Sequence, residues 1–355
     1  MKQNNQGKRP TIKDVALLAN VSIATVSRAL GKSGYPVSEP LKKRVIKAAE
    51  KLGYEPNMAA QLLRKKSGNE IGIIIPSISN PFNLQAISGI DAVLSEAGQA
   101  LVLCNTEHDV TKEHDYLNML YNRQAMGAII SSMDTSPATI NEYVRKGMKI
   151  VLLDQYIKGA ICPVISSNLR NNGRLAINYL HDLGHRKIAF ATTPINRWTR
   201  QEIYLGFAEA LKSYGIAVRD DYLFVGDPTD ESYGDDLELN AGALAASSFV
   251  ESACDATAIV CINDMVAFGV INTLVLNGIR VPEDVSVMGF DDIPMAKVYC
   301  PPLTTVRYPS EQMGRLAAMM LTDSISSNKE LDPLGIQLLP QLMVRRTVLE
   351  VKESQ

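Results

Sequence analysis

The chain is 355 residues long, 46% hydrophobic and 21% charged, which suits two or three domains better than a single core. No apolar run approaches the roughly 18 residues that cross a bilayer. No apolar segment follows the charged N-terminus as it would in a secretory signal, so we expect a cytoplasmic protein without a membrane partner. The net charge of −2 hides an asymmetry, because residues 1–69 hold 14 Lys and Arg against 4 Asp and Glu, while the other 286 residues hold 22 against 34.

The basic N-terminal segment carries two short helical patterns. In TIKDVALLAN, apolar residues recur at intervals of three and four from Ile12 to Ala19, and Asn20 can take the left-handed conformation that ends a helix. Ser22 begins a second pattern, SIATVSRAL, which a glycine ends. Two short helices joined by so tight a turn predict a helix-turn-helix, and the net charge of +10 over residues 1–69 indicates that the partner is a nucleic acid.

The second helix of such a motif reads bases in a DNA major groove. On its outer face we predict Ile23, Ala24, Thr25, Ser27 and Arg28. Arg28 can make a bidentate contact to guanine, whereas Ile23 and Ala24 can only touch a thymine methyl or exclude other bases. Thr25 and Ser27 suit phosphate contacts. The alternative, a helical hairpin inside a larger bundle, leaves the local positive charge unexplained.

A third helix is predicted between Ser38 and Gly53, and a brief amphipathic stretch, NMAAQLLRKKSGN, follows at residues 57–69. This stretch is too short to be helical alone in water. Its two leucines, Leu62 and Leu63, suit wedges that enter a minor-groove base step. An ordinary linker with two exposed leucines is the alternative.

The segments TIKDVALLANVSIATVSRAL, VSEPLKKRVIKAAEKLGYEPN and AAQLLR together resemble the DNA-binding head of the lactose-repressor/galactose-repressor (LacI/GalR) family. The resemblance implies that Ile23, Ala24 and Arg28 hold base-reading positions. It also implies that Ala60 and Leu63 lie in a hinge helix, where Leu63 opens a central base step. The loop GKSGYPVSEP departs from the family pattern at its two prolines, and we expect this to alter the shape of the loop rather than its function.

From Ile71 onward, β-branched apolar runs alternate with longer helical patterns. The buried parallel strands are predicted at IGIIIP, ALVLCN, GAIISS, KIVLLD, KIAFAT, AIVCIN and VSVMGF. Helices are predicted at FNLQAISGIDAVLSEAG, KEHDYLNMLYNRQAMG, GRLAINYLHDLG and FGVINTLVLNG. This alternation, twice over, predicts two doubly wound α/β lobes with a ligand cleft at the carboxyl ends of their strands.

The segments PSISNPF, LGHRKIAF, CINDMVAFG, VPEDVSVMGFDD and PPLTTVRYP resemble the type I periplasmic-binding-protein fold that the same family carries. The resemblance implies that the chain crosses between the lobes three times. The expected fold is therefore an N-terminal all-α helix-turn-helix head with a hinge helix, followed by a two-lobed α/β body. The expected boundaries are 10–56 for the head, 57–69 for the hinge helix and linker, 70–350 for the effector-binding and dimerisation body, about 70–165 plus 300–330 for the first lobe, and about 166–299 plus 331–350 for the second.

Polar and aromatic side chains follow the ends of the predicted strands, and the resemblance assigns effector contacts to such positions. The candidate effector-binding residues are Asn80, Phe82, Asp154, Arg197, Trp198, Thr199, Asn263 and Asp291. Carboxylates, amides and an arginine beside aromatic faces suit a polyhydroxylated ligand, whose hydroxyls donate and accept at once. Arg197 and Thr199 would also suit a purine or a phosphorylated sugar.

Several of these candidates have a purely structural alternative. Asn80 and Asn263 can be helix caps. Asp291 and its neighbour Asp292 can brace a turn. Trp198 can stack on a sugar or serve to close the lobes.

Patterns typical of enzymes are missing from the sequence. No GxGxxG, GxxxxGK[ST] or GxSxG segment occurs, the histidines lack metal-ligand spacing, and the five cysteines form no CxxC pair. We therefore expect neither an enzyme, nor a cofactor, nor a metal site. A sugar-binding transport protein would lack the basic head, and an architectural DNA-bending protein would leave the two-lobed body without a use.

The prediction is a bacterial, nucleoid-associated, homodimeric transcription regulator, in the first instance a repressor. It is expected to bind a pseudo-palindromic site in double-stranded DNA, under the control of a small polar effector that is a sugar or a sugar derivative.

Overall fold

A computed structural model describes residues 10–30, 37–54, 69–227 and 237–351. The chain separates into two compact units, a head up to Gly68 and a body from Asn69. The predicted hinge residues Ala60 and Leu63 lie outside the described residues. No helix within the described ranges is long and apolar enough to span a membrane.

The head contains the two predicted helices of the helix-turn-helix and a third helix. Their bounds are Ile12–Ala19 (α1), Ile23–Leu30 (α2) and Glu39–Leu52 (α3). The carboxylate of Asp14 accepts hydrogen bonds from the backbone N–H and the hydroxyl of Thr11, which fixes the first turn of α1. Asn20 has φ 49°, the left-handed conformation that ends α1, and the Ser22 hydroxyl accepts from the Thr25 N–H at the start of α2.

A small apolar core holds the three helices of the head together. Val15 and Val26 are fully buried between α1 and α2, and Val45 of α3 closes the core from the other side. The remaining buried members are alanines: Ala16, Ala19, Ala29, Ala48 and Ala49. Such small side chains let the helices approach closely, and they leave the longer polar side chains of α2 on the surface.

The body contains two six-stranded sheets. Its strands are Glu70–Ile75 (β1), Ala100–Asn105 (β2), Gly127–Ile130 (β3), Lys149–Leu153 (β4), Val164–Ser167 (β5), Ile188–Thr192 (β6), Leu223–Val225 (β7), Ala258–Cys261 (β8), Ser286–Asp291 (β9), Thr304–Arg307 (β10), Ile336–Leu338 (β11) and Gln341–Met343 (β12). Its helices are Pro81–Glu96 (α4), Val110–Asn122 (α5), Ala138–Arg145 (α6), Leu169–Asp182 (α7), Trp198–Ser213 (α8), Leu237–Glu251 (α9), Asp264–Leu276 (α10), Met295–Val298 (α11) and Ser310–Ser327 (α12).

The two sheets define the two lobes. The first sheet has the order β11-β5-β4-β3-β1-β2 and is parallel throughout. The second has the order β12-β10-β9-β8-β6-β7, and β12 runs antiparallel to β10 at its edge. Both sheets carry helices on their faces, so the central strands are buried and read as continuous apolar runs, as the sequence predicted.

The lobe boundaries near the C-terminus differ from the expected ones. Thr304 of β10 pairs with Met288 of β9, so β10 belongs to the second lobe although 300–330 was expected in the first. Ile336 of β11 pairs with Ile165 of β5, so β11 belongs to the first lobe although 331–350 was expected in the second. These strands are three or four residues long, and so short a pattern does not indicate which sheet a strand joins.

Glycines set the spacing of the helix pairs that cover the sheets. A Cβ at Gly206 of α8 would lie 2.0 Å from the carbonyl oxygen of Arg170, next to the start of α7. A Cβ at Gly314 of α12 would lie 2.1 Å from the carbonyl oxygen of Ala86 in α4. In both cases the obstacle is backbone, so the two helices would have to move apart to admit a side chain.

Gly206→Ala should therefore destabilise the body by about 1–3 kcal/mol, because the overpacking cost exceeds the gain in helix propensity. The measurement is the urea unfolding of the body, followed by circular dichroism. Gln201→Ala, an exposed substitution in the same helix, is the control and should change stability by less than about 0.5 kcal/mol. Equal stability of the Gly206→Ala variant and the wild type would contradict the close packing of α7 and α8.

Candidate functional site

A cleft between the two lobes collects most of the predicted effector-binding residues. It encloses about 880 Å³, including its opening to solvent. Seven of the eight candidates line it: Asn80, Phe82, Asp154, Arg197, Thr199, Asn263 and Asp291. They come together because each follows the carboxyl end of a strand, and these ends face one another across the gap between the sheets.

Asn80 and Asn263 are both helix caps and lining residues. The side-chain oxygen of Asn80 accepts from the Phe82 N–H at 2.9 Å, and that of Asn263 accepts from the Val266 N–H at 2.8 Å. The amide nitrogen of Asn80 donates to Glu238 of the opposite lobe at 2.8 Å. The side-chain oxygens of both residues therefore cap helices, as the structural alternative predicted. The side-chain nitrogen of Asn80 forms a hydrogen bond between the lobes.

Asp154 is held in an unusual position at the end of β4. Its φ of 68° is left-handed, a conformation that costs a non-glycine residue on the order of 1–3 kcal/mol and clusters at ligand sites. One of its carboxylate oxygens is buried and accepts no hydrogen bond from any described residue. Burial raises the pKa of Asp154 to about 6, although Arg197 acts in the opposite direction.

Arg197 and Thr199 reach across to the first lobe through Gln155. With the Gln155 amide oriented so that its oxygen faces Arg197, this oxygen accepts from Nη2 of Arg197 at 2.7 Å and from the Thr199 hydroxyl at 3.0 Å. Gln155 is itself 5% exposed. This contact is a second one between the lobes, and Arg197 is close enough to Asp154 to lower its pKa.

Asp291 and Asp292 have separate roles. Asp291 lines the cleft with φ 108°, and its pKa is raised by burial and by the neighbouring carboxylates Asp264, Glu238 and Asp154. The buried carboxylate of Asp292 does not line the cleft and forms ion pairs with Arg307 and Arg345. The structural alternative therefore applies to Asp292, whereas Asp291 lines the cleft.

An aromatic corner forms one wall of the cleft. Phe82 is 7% exposed, and its ring meets that of Tyr308 edge to face, with centroids 5.6 Å apart. Tyr308 begins the segment that returns from β10 to the first lobe, so this corner lies where the chain crosses between the lobes. The remaining accessible face of Phe82 suits a flat or apolar ligand surface.

Trp198 is the candidate that lies elsewhere. Its neighbours Arg197 and Thr199 line the cleft, but its own indole packs against Tyr156, with ring centroids 5.7 Å apart, at a different cavity. Trp198 is the first residue of α8, and adjacent residues of a helix point in different directions.

Sequence reasoning missed several residues that line the cleft. His108 and Ser131 directly follow β2 and β3, so the strand-end rule could have found them. Arg200 lies three residues after Arg197, one helical turn along α8. Glu238 follows no predicted strand, and no pattern in the sequence marks it.

The charges of the cleft nearly balance. Asp154, Glu238 and Asp291 oppose Arg197 and Arg200. Burial and the two arginines lower the pKa of His108, so its ring is neutral at neutral pH. The cleft therefore offers fixed hydrogen-bond donors and acceptors with little net charge. No three His, Cys, Asp or Glu side chains in the described part of the chain are placed to hold a metal ion.

In the head, the predicted outer face of α2 is exposed. Ile23, Ala24 and Arg28 are exposed, and Thr25 and Ser27 are half-buried. The Thr25 hydroxyl lies 2.9 Å from the Ser22 hydroxyl, so it is partly engaged within the helix start. The exposed positions project from one side of a helix whose other side is packed in the core.

Comparison with known proteins gives matches for both units. Residues 11–57 match the family model of bacterial regulatory proteins of the lacI family, and residues 177–348 match a periplasmic binding protein-like domain. A curated relative, the HTH-type transcriptional repressor PurR of Photobacterium profundum, is 31% identical over 96% of this chain and 99% of its own length.

Two solved structures extend these matches to three dimensions. A complex of the transcriptional regulator CelR with cellobiose is 27% identical, covers 96% of this chain and 100% of its own, and superposes with a TM-score of 0.69. The lac repressor dimer bound to operator and the anti-inducer ONPF is 24% identical with the same coverage and a TM-score of 0.83, so it shows a shared fold.

The raised pKa of Asp154 predicts how the stability of the protein depends on pH. Its native pKa of about 6 exceeds the ordinary value of 3.8, so the native state holds this proton more tightly than the unfolded state does. Stability should therefore fall as pH rises from about 4 to about 6, and this loss should disappear in Asp154→Asn. A shift of about 2 pKa units sets an upper limit of about 3 kcal/mol on the difference between variant and wild type above pH 6.

The measurement is the free energy of unfolding of both proteins between pH 4 and pH 7 without ligand. The difference between the two proteins removes the titration of carboxyls remote from Asp154, whereas Asp291, whose pKa Asp154 helps to raise, has a lower pKa in the variant. A difference that does not change with pH would show that Asp154 has an ordinary pKa.

Proposed function

Since this chain belongs to the LacI family of bacterial regulatory proteins and is a transcriptional repressor rather than an enzyme, we propose that a small polar effector bound between its lobes controls its affinity for DNA. The effector is a polyhydroxylated molecule, a sugar or a sugar derivative. The head binds a pseudo-palindromic operator as part of a homodimer.

The observation that carries this proposal is the buried, unpartnered oxygen of Asp154. An ionised carboxylate accepts hydrogen bonds only, so its partner must be a donor. Asp291 presents a second acceptor in the same cleft. A ligand hydroxyl donates to such acceptors and can at once accept from Arg197 or Arg200, so several adjacent hydroxyls match the mixed lining.

The comparisons support a carbohydrate at a coarse level. The CelR structure, which has the same fold over the whole chain, contains cellobiose. The Phe82 face would pack against the apolar face of a sugar ring. A purine also has donors, acceptors and a flat face, and it is the alternative that binding experiments must separate from a sugar.

The two contacts between the lobes supply a route for control. Asn80–Glu238 and Gln155–Arg197 each join one lobe to the other. A ligand that binds both walls changes the free energy of this closure. We propose that closure sets the separation of the two hinge segments in the dimer, where Ala60 and Leu63 contact the minor groove. Linkage then requires DNA and effector to alter each other's affinity by one factor.

Asp291→Asn should abolish the response of operator binding to the effector and leave the affinity of the ligand-free protein for DNA unchanged. Operator affinity would be measured while sugars, sugar phosphates and purine bases are added in turn. We expect members of the sugar classes to change wild-type affinity at least tenfold, about 1.4 kcal/mol. Asp91→Asn, an exposed aspartate of α4, is the matched control. A response of Asp291→Asn at the wild-type effector concentration would contradict the placement of the cleft.

Arg28→Ala should relax base preference at one position in each half-site and cost about 1–3 kcal/mol. The purified full-length protein and its variant would each select genomic DNA fragments, read by sequencing, at two salt concentrations. The wild type should recover a pseudo-palindrome with a flexible central step. The same base preferences in both proteins would remove Arg28 from the base-reading face, and recovery of sequence-indifferent, steeply salt-dependent fragments would contradict specific recognition.

A further inference from the structure

A second cavity lies on the other side of the segments that form the effector cleft. It encloses about 660 Å³, including its opening to solvent. Its walls come from β4, the loop after it and β5 in the first lobe, from Trp198 in the second lobe, and from the segment that leads into β11. It therefore lies where the chain crosses between the lobes.

Two aromatic rings form one wall of this cavity. Tyr156 and Trp198 have ring centroids 5.7 Å apart and planes inclined at 51°. Tyr156 is 48% exposed, so its ring remains accessible to a ligand. A flat ring packed against this pair would gain the offset or edge contacts that aromatic groups prefer.

The rest of the lining is apolar or neutral. Leu152, Ile157 and Cys162 are buried, and burial raises the pKa of the Cys162 thiol to about 12, so it carries no charge at neutral pH. Among the described residues that line the cavity there is no Asp, Glu, Lys, Arg or His. A charged ligand would lose its hydration here without gaining a partner.

Two polar side chains lie in the wall. Ser166 of β5 is 1% exposed, and Gln337 of β11 also lines the cavity. A ligand carrying a hydroxyl or carbonyl group could form a hydrogen bond with the Ser166 hydroxyl, which both donates and accepts.

We propose that this cavity is a second ligand site, which takes a neutral planar aromatic molecule bearing one hydroxyl or carbonyl group. Its ring packs against Tyr156 and Trp198, and its polar group bonds to Ser166. This site is distinct from the effector cleft and takes the opposite chemistry, because the cleft is lined by five charged side chains.

The site is connected to the effector cleft through adjacent residues. Tyr156 follows Gln155, and Trp198 lies between Arg197 and Thr199, the residues that hold the lobes together. A ligand against both rings contacts both lobes at once. Its binding is therefore a second input to lobe closure, and it does not require that the cleft bind a sugar.

The test uses 4-methylphenol as the probe and 4-methylcyclohexanol as its non-aromatic counterpart of similar size. Binding of both to the full-length protein is measured by ligand-observed NMR. Trp198 is the single tryptophan of the chain, so the emission comes from a ring that lines this site. We expect 4-methylphenol to bind saturably and change the Trp198 emission, and 4-methylcyclohexanol to bind at least tenfold more weakly.

Two variants test the position of the site. Ala160→Phe fills the cavity, and Tyr156→Ala removes a ring that is 48% exposed. Each should weaken 4-methylphenol binding at least tenfold. Tyr121→Ala, a comparably exposed tyrosine of α5 outside the cavity, should leave binding unchanged.

Three results would overturn the proposal. These are the absence of saturable 4-methylphenol binding, wild-type affinity in Ala160→Phe together with Tyr156→Ala, and equal affinity for the two probes.

Discussion

Two carboxylates in the cleft between the lobes, Asp154 and Asp291, carry an electrostatic cost of burial. Removing a carboxylate from water is costly unless donors replace the water, and burial raises the pKa of both groups. Arg197 and Arg200 line the same cleft, but one oxygen of Asp154 accepts no hydrogen bond from the described residues. In the proposed mechanism, a donor-rich ligand removes this unfavourable interaction. The proposed mechanism thereby couples ligand binding to the closure of the lobes.

The two carboxylates lie in the cleft, where a single interaction can affect both lobes at once. Parallel strands in both sheets bring their carboxyl ends to the cleft, so a ligand contacts the loops after several strands at once. The bonds Asn80–Glu238 and Gln155–Arg197 belong to the same cleft and join opposite lobes. A repressor that an effector controls needs a body with two arrangements of similar free energy. The lobes can satisfy this requirement because only a few hydrogen bonds between them must form or break.

The sequence predicted the regular parts of the fold because their causes are local. Continuous β-branched runs and glycine-ended helical patterns mark β1 to β4, β6, β8 and β9, and the strand-end rule then brought seven effector candidates into one cleft. The short strands β10 and β11 were assigned to the wrong lobes because pairing over long sequence distances decides their place. The sequence did not indicate Glu238 and Gln155 for the same reason, because each forms hydrogen bonds with a residue of the opposite lobe. Trp198 was placed in the cleft because both of its neighbours are there.

Reciprocal linkage tests the central claim most directly. Once the operator has been selected and the effector identified, the Kd of the effector would be measured by calorimetry with and without saturating operator DNA. The account predicts that DNA changes the Kd of the effector by the same factor, at least tenfold, by which the effector changes the Kd of the operator. An effector Kd that is unchanged by operator DNA, with both ligands bound, would show that cleft and head act independently.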